Sequence, residues 1–387
     1  MDIVIKNVGD ELGPEKVLLL QQPQVGLHAI VVVDNTACGP AIGGVRMAPD
    51  VGVEEVFRLA RAMTFKNAAA GLPHGGGKAG IMADPSCSPA EKERLVRAFA
   101  RLIRGLTDYI PGPDMGLNEA SMAWIKDEID RAVGLPRVLG GIPLDEIGAT
   151  GFGLAVAAEV AAPVAGINLD GARVVVQGFG AVGQHAARFL QARGVRLVAA
   201  ADSRGAVYNA QGLALDALIE HKRGGASVAT FAGGHPLDPA RLVGVECEIW
   251  VPAARPDVLT EANVGHLQAR LILQGANIPA TDGAEGWMHE HGVLSIPDFI
   301  ANAGGVICAS VEYHGGGQAQ ALAAIEEKIR TNTTAVLEGV KRDGLLPREA
   351  ANRLARSRAE EAQSYLRALQ LLPFYPMRAQ SACLFET

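Results

Sequence analysis

An α/β fold divided into two domains is what these 387 residues predict, and three observations carry that prediction. The chain is longer than a single hydrophobic core usually serves, so a second domain is the default. Ala, Gly and aliphatic residues abound while aromatics make up only 5%, which suits helices packed closely on a parallel sheet. Most specifically, the buried-strand run 172–177, Ala-Arg-Val-Val-Val-Gln, leads into Gly178-Phe179-Gly180-Ala181-Val182-Gly183 and then into an alanine-rich helix. A strand, a glycine turn and a helix in that order form the first unit of a doubly wound dinucleotide fold.

Charge and cysteine usage narrow the partners. A formal charge of −7 argues against a nucleic-acid or anionic-membrane surface, either of which needs clustered Lys and Arg. Small molecules are the expected partners. The five cysteines, Cys38, Cys87, Cys247, Cys308 and Cys383, are scattered without a Cys-x-x-Cys pair, so neither a disulfide framework nor a metal site is expected. No apolar signal core opens the chain and no later run is long enough for a membrane span, so the expected location is the cytoplasm.

Taken in order, the first clear strand is 27–33, followed by the small-residue stretch Gly39-Pro40-Ala41-Ile42-Gly43-Gly44-Val45-Arg46. That stretch reads equally as a turn between strands or as a ligand contact. Val56, Leu59, Ala60 and Met63 fall at helical spacing and predict a helix over 53–70, ended by Gly71-Leu72-Pro73. Lys66 near its end and Lys78 beyond it bracket Gly75-Gly76-Gly77, a turn whose missing Cβ atoms allow close approach. A nucleotide P-loop is excluded there, because Leu72 and Ala79 stand where the pattern needs Gly and Ser or Thr.

Ser88-Pro89-Ala90-Glu91 is a helix start, with Pro at the first helical position. The stretch 108–116 predicts a strand that stops on Asp114, although Asn118 is a rival cap for the helix that follows. Residues 134–147 lose periodicity and carry Gly and Pro, so the chain is expected to cross between domains there. Thr150 opens a small-residue helix facing the cleft.

Past the glycine turn, a second strand at 195–201 ends on Asp202, nineteen residues after Gly183. An acidic group there accepts hydrogen bonds from the adenosine ribose and repels a 2′-phosphate, while the glycine amides and the helix N-terminus hold the pyrophosphate. NAD is therefore favoured over NADP. That preference is not absolute, since Ser203 and Arg204 follow and would cradle the phosphate if Asp202 turned away. Further strands end on Pro252-Ala253-Ala254 and on Gln274-Gly275-Ala276-Asn277, which brings Ala253 and Asn277 to the ligand edge of a parallel sheet. A small-residue helix begins at 297, and 318–371 reads as two amphipathic helices joined near Gly344 and Pro347.

Together, Gly43-Gly44-Val45-Arg46-Met47, Thr64-Phe65-Lys66-Asn67, Gly75-Gly76-Gly77-Lys78, Pro113-Asp114-Met115-Gly116, Gly151-Phe152-Gly153, the Gly178–Gly183 loop, Gly275-Ala276-Asn277 and Asn302-Ala303-Gly304-Gly305-Val306 resemble the glutamate/leucine/phenylalanine/valine dehydrogenase family. The resemblance runs over about residues 27–340 and lies nearest the leucine and phenylalanine branch. It implies a substrate and oligomerisation domain at 1–143, a Rossmann domain at 144–330, and helices at 331–387 that pack back on the first domain. It also implies a homo-oligomer that exchanges an L-amino acid for a 2-oxo acid and ammonium.

By the same resemblance, Lys66 binds the substrate carboxylate, Lys78 activates water and Asp114 moves protons to the amino group. Asn277 holds the amino acid, and Thr150 lies near the nicotinamide carboxamide. A lysine kept neutral by burial and by a neighbouring cation, expected to be Lys66, can serve as the base. The glutamate branch carries a lysine before Gly-Gly and a serine after Asn-Ala-Gly-Gly-Val, where this chain has Ile42 and Ala309. A pocket for an apolar side chain, lined by Ile42, Gly43, Gly112, Val306 and Ala309, is the resulting expectation. A glutamate dehydrogenase and a nucleotide-sensing protein without chemistry are its rivals.

Overall fold

A computed structural model describes residues 9–366 and contains two sheets with helices on both faces. The tail at 371–387, for which the sequence offers no assignment, lies outside the described residues. No described helix is long and apolar enough to cross a membrane.

The first sheet comprises β1 (Lys16–Gln22), β2 (Leu27–Asn35), β3 (Ala41–Met47), β4 (Gly76–Ile81) and β5 (Tyr109–Pro113), in spatial order β1-β2-β4-β3-β5. Helices α1 (Val53–Ala69), α2 (Pro89–Leu102) and α3 (Glu119–Ile129) cover it. β2 reads as a continuous apolar run because both its faces are covered. Ile30 and Val32 meet Val56 and Ala60 of α1, while Val31 and Val33 meet the opposite core with Val96, Phe99 and Met122. Ser88 caps α2 by accepting from the Glu91 amide, and Asn118 caps α3 by accepting from the Ser121 amide. Since Asn118 fills the cap, Asp114 is left for other work.

One expectation is corrected here. The glycine run before Lys78 is no open loop: Gly76, Gly77 and Lys78 belong to β4, a buried interior strand pairing with β2 and β3. Its glycines are needed for packing. A Cβ on Gly76 would lie 2.0 Å from the Thr64 nitrogen of α1, and one on Gly77 would lie 2.8 Å from the Tyr109 ring. Helix and ring thus occupy the room that side chains would take.

Helix α4 (Ala149–Val164) leads into the second sheet, β6 (Arg173–Gln177), α5 (Ala181–Gln191), β7 (Arg196–Asp202), β8 (Gly205–Tyr208), α6 (Leu215–Arg223), β9 (His235–Leu237), β10 (Ile249–Pro252), β11 (Leu271–Leu273), α7 (Asp282–Glu290) and β12 (Leu294–Ile296). Spatial order is β12-β11-β10-β6-β7-β8-β9, parallel from β12 to β7 and antiparallel beyond. The helix expected from 297 is divided into α8 (Asp298–Ala301) and α9 (Gly304–Tyr313), with Asn302 at the break. Its side chain bonds outside the helix, to the carbonyls of Gly275 and Ala276.

Helices α10 (Gln318–Asp343) and α11 (Pro347–Tyr365) complete the described chain, joined through Gly344 at φ +67°. α11 lies against α1, where Arg358 donates to the carbonyl of Ala69 at 2.6 Å. The stretch that crosses between the sheets is held by Glu312 of α9, a buried carboxylate accepting from the amides of Leu135 at 3.0 Å and Ile142 at 2.9 Å. Burial pushes the Glu312 carboxyl above its ordinary range, against the pull of those amides.

Candidate active site

Lys78 points from β4 onto the end of β5. Its Nζ lies 2.8 Å from Asp114 Oδ2, and Arg46 Nε from β3 donates to the same oxygen at 3.1 Å. The sequence makes room for this pair at Gly44, where a Cβ would come within 2.8 Å of Asp114 Cβ and 3.2 Å of Lys78 Nζ. Burial pulls the Lys78 ammonium below its ordinary range, Asp114 partly restores it, and Arg46 lowers it again. For Asp114, burial opposes ionisation, but Lys78 and then Arg46 outweigh it and hold the carboxyl below its ordinary range. The foremost cation acting on Lys78 is Arg46, which the sequence did not single out and which also pairs with Glu55 of α1; Lys66, the expected cation, lies close enough for the two lysine charges to act on each other.

Lys66 leaves α1 toward the other sheet and donates to Asn302 Oδ1 at 2.7 Å. Burial brings its ammonium down to about 8, with Asp298 opposing and the charge of Lys78 adding to the shift. Asn302 in turn donates to Asn277 Oδ1 at 3.1 Å, so α1, the break between α8 and α9, and the Asn277 turn meet at one junction. Behind it, Asp298 accepts from the Ile278 amide at 2.9 Å, and Ile278 sits at φ +48°. A branched residue in the left-handed region is costly and needs such support. Arg348 of α11 braces the arrangement, bonding Asp298 at 3.0 Å, Glu285 at 2.7 Å and Gln274 at 2.9 Å.

Three of the residues expected to line a side-chain pocket, Ile42, Gly112 and Ala309, lie close together in the first half of the site. Ile42, Ile110 and Val133 form a small buried cluster with Ala309 packed against it, and Gly112 adjoins Val133. The other two positions have packing roles of their own. Val306 packs on the core of the second sheet, and a Cβ on Gly43 would fall 1.6 Å from the Gly77 carbonyl, so glycine there permits strand packing.

On the dinucleotide side, Gly178 adopts φ +101° and donates, with Phe179, to the Ala201 carbonyl at 3.0 Å and 2.8 Å. A Cβ on Gly183 would lie 2.0 Å from the Gly178 carbonyl, which closes the turn, whereas the Gly180 position faces open space. α5 starts at Ala181 without a side-chain cap, leaving the amides of Ala181, Val182 and Gly183 at a free helix N-terminus. These residues fit a pyrophosphate. The Phe179 ring is buried in the core, so only its backbone remains for a ligand. Ala253 follows β10 beside this turn, its amide on the Gln177 carbonyl at 2.7 Å, and Thr150 lies on α4 next to Gly304 and Gly305.

Asp202 departs from expectation. Its carboxylate accepts from Lys222 Nζ at 2.7 Å, Ser227 Oγ at 2.9 Å, the Val228 amide at 3.0 Å and the Arg204 amide at 2.9 Å. Burial opposes ionisation, but Lys222 and these donors hold the carboxyl far below its ordinary range. The partners come from up to 26 residues downstream, where a short-range reading cannot find them. Ser203 and Arg204 remain exposed at the β7–β8 turn. Asn302, Arg46, Gly44 and Arg348 were likewise missed as site residues; only Gly44, Arg46 and Asn302 carried a signal, by lying within the recognised motifs.

A dinucleotide-type sheet facing a half that presents two lysines and a carboxylate defines a two-domain oxidoreductase. Comparison with known proteins agrees. The family model "Glutamate/Leucine/Phenylalanine/Valine dehydrogenase" matches residues 140–366, and "Glu/Leu/Phe/Val dehydrogenase, dimerisation domain" matches residues 14–131. The chain belongs to the glutamate/leucine/phenylalanine/valine dehydrogenase family.

A glutamate dehydrogenase of Aeropyrum pernix is 38% identical over 322 residues, 78% of this chain and 77% of that protein. One from Thermotoga maritima is 40% identical over 296 residues, 73% of this chain and 71% of that protein. Among solved structures, the leucine-bound hetero-hexameric glutamate dehydrogenase of Thermus thermophilus matches with TM-score 0.81 at 33% identity, covering 93% of this chain and 91% of that one. L-tryptophan dehydrogenase of Nostoc punctiforme matches with TM-score 0.72 at 28% identity, covering 90% of this chain and 96% of that one.

Proposed function

We propose that this chain catalyses the reversible oxidative deamination of an L-amino acid to a 2-oxo acid and ammonium, with a nicotinamide dinucleotide as hydride acceptor. The observation that carries the reading is the buried Lys78–Asp114 contact at 2.8 Å, beside Arg46 and across from Lys66. A nicotinamide dinucleotide held by the Gly178–Gly183 turn and the N-terminus of α5 would supply the hydride acceptor, and loss of hydride from Cα would leave the amino acid as an iminium. Neutral Lys78 removes a proton from water as its oxygen attacks the iminium carbon. Asp114, held as the carboxylate, takes that proton from the Lys78 ammonium and passes it to the nitrogen; the C–N bond then breaks with its electron pair leaving on ammonia, and the remaining hydroxyl gives its proton back through Lys78 to ammonia, leaving the 2-oxo acid and ammonium. Lys66, as the ammonium, holds the substrate carboxylate, and Asn277 orients the amino acid.

For the substrate side chain, the names of both curated relatives favour glutamate, and that is the first reading. It displaces the apolar substrate expected from the sequence. The specific observation on the other side is the cluster of Ile42, Ile110, Val133 and Ala309, since a distal carboxylate against apolar walls without a partner is costly. Initial rates with ammonium, reduced cofactor and a panel of 2-oxo acids decide between them. Glutarate-type turnover far above branched and aromatic substrates supports glutamate, and the reverse order supports the apolar pocket. Cofactor binding with no turnover on any of them would favour a nucleotide-sensing protein. Assembly as a homo-oligomer through the first sheet is proposed with it, on the strength of the dimerisation-domain match.

A further inference from the structure

We infer that Arg348, carried on the C-terminal helix α11, is a positioning residue for the substrate: through Asp298 it fixes the turn that presents Asn277 and sets the charge environment of Lys66. The inference rests on the reading in which Lys66 and Asn277 hold the amino acid.

Arg348 joins three elements of the second sheet. Its guanidinium donates to Gln274 at the end of β11 at 2.9 Å, to Glu285 of α7 at 2.7 Å and to Asp298 at the start of α8 at 3.0 Å. A planar fork with five donors can serve acceptors in three directions, which a single ammonium cannot. Among the described residues it is the one ion-pair partner of both carboxylates, each of which is buried.

Asp298 passes that hold on to the site, because its two oxygens have different partners. Oδ1 takes Arg348, and Oδ2 takes the Ile278 amide at 2.9 Å. Ile278 follows Asn277 and sits at φ +48°, where a branched residue is costly, so the turn keeps its shape only while Asp298 stays in place.

Charge reaches Lys66 by the same route. Two carboxylates against one guanidinium leave a negative charge over. Burial brings the Lys66 ammonium down to about 8, the charge of Asp298 opposes this, and that of Lys78 on β4 adds to it. The cations at the end of α1 are spent on backbone carbonyls, Arg358 on Ala69 at 2.6 Å and Lys328 on Gly71 at 2.9 Å. Arg358 also belongs to α11, so one helix grips both sides of the contact between Lys66 and Asn302.

The test compares Arg348→Met and Arg348→Lys with the parent chain in steady-state rates, in a cofactor titration and in the pKa of the Lys66 amine. That amine is read by ¹³C-methyl NMR, its signal assigned by loss in Lys66→Arg. Arg348→Met should raise KM for the 2-oxo acid by about 10- to 100-fold, with kcat lowered less than about threefold and dinucleotide affinity unchanged. Arg348→Lys, which keeps the charge and the fold, should fall between. In both, the Lys66 midpoint should rise toward the ordinary lysine range, since an uncancelled Asp298 charge and a wetter junction each favour the ammonium. Adding Ile278→Gly should recover at least about threefold in KM, because glycine holds a positive φ without support.

A purely structural role would lower kcat through the folded fraction and leave KM and the Lys66 midpoint where they were, and that result would overturn the inference. So would a KM that Ile278→Gly does not recover. Should the parent chain turn over no 2-oxo acid, the proposed reaction fails by itself. The Lys66 midpoint then decides on Arg348: a rise supports its role, and an unmoved value overturns it.

Discussion

Asp114 and Asp202 stand at the ends of parallel strands in different sheets, each touching a lysine at hydrogen-bond distance, yet they are built for opposite ends. Asp114 has two cations on one oxygen, and its side chain remains 21% exposed toward the cleft. Asp202 has a cation, a hydroxyl and two amides, and its side chain is 6% exposed. A carboxylate whose remaining lone pairs are free can exchange protons with a ligand. One whose acceptors are all occupied holds a loop in shape, and only later parts of the chain decide which it is.

The largest effect expected from breaking the first pair is on turnover. Lys78→Ala should lower kcat by about 10²–10⁴-fold while leaving dinucleotide affinity unchanged, because a positioned base acts only at the reacting atoms. Steady-state rates beside a cofactor titration check this, and a matching loss of cofactor affinity would contradict it. Asp114→Asn should also reduce kcat, and should move the acid limb of the pH profile to lower pH. Asp114 raises the Lys78 pKa, so its neutralisation lets the lysine lose its proton earlier.

Next in size is the alkaline limb. Lys66 must be charged to hold a carboxylate and is brought down to about 8, so KM for the amino acid should rise as pH passes about 8. The linked stability runs the other way. A lysine depressed in the folded state binds fewer protons than the unfolded chain between about 8 and 10.5, so the Lys66 contribution strengthens as pH rises through that window. Urea denaturation of the parent chain and Lys66→Met at pH 8 and pH 10 measures it, and a gap that moves in the opposite sense would refute the assignment.

Smaller effects sharpen the contrast between the two carboxylates. Asp202→Asn should cost about 1–3 kcal/mol of stability with little change in kcat, because it breaks the charge-assisted pair that ties the end of β7 to Lys222 of α6. Gly44→Ala should cost a similar ~1–3 kcal/mol, and it should also depress kcat, since its methyl group meets Asp114 and Lys78. Denaturation midpoints with parallel kcat values separate the two outcomes.

Much of this architecture could be read from residues near one another in sequence. The strand, glycine turn and helix at 172–192 follow from local pattern, as does the cap at Ser88. Lys66, Lys78 and Asp114 stood out because motif spacing set them together. What escaped was decided at long range. The glycines at 75–77 suggested a loop because sequence cannot show that Thr64 and the Tyr109 ring press on a strand from either side. Asp202 looked free because Lys222 and Val228 lie in a later helix and turn. Asn302 looked like one more residue of a small-residue helix, yet it breaks that helix to meet Lys66.

The most direct test of the central claim is the titration of the Lys78 amine itself. Reductive methylation with ¹³C-formaldehyde, assigned by loss of one signal in Lys78→Arg, gives its pKa by NMR in the substrate-free protein. A midpoint well below the ordinary lysine value of about 10.4, moving lower still in Asp114→Asn, is predicted. A midpoint at or above that value would contradict a base held ready in the cleft.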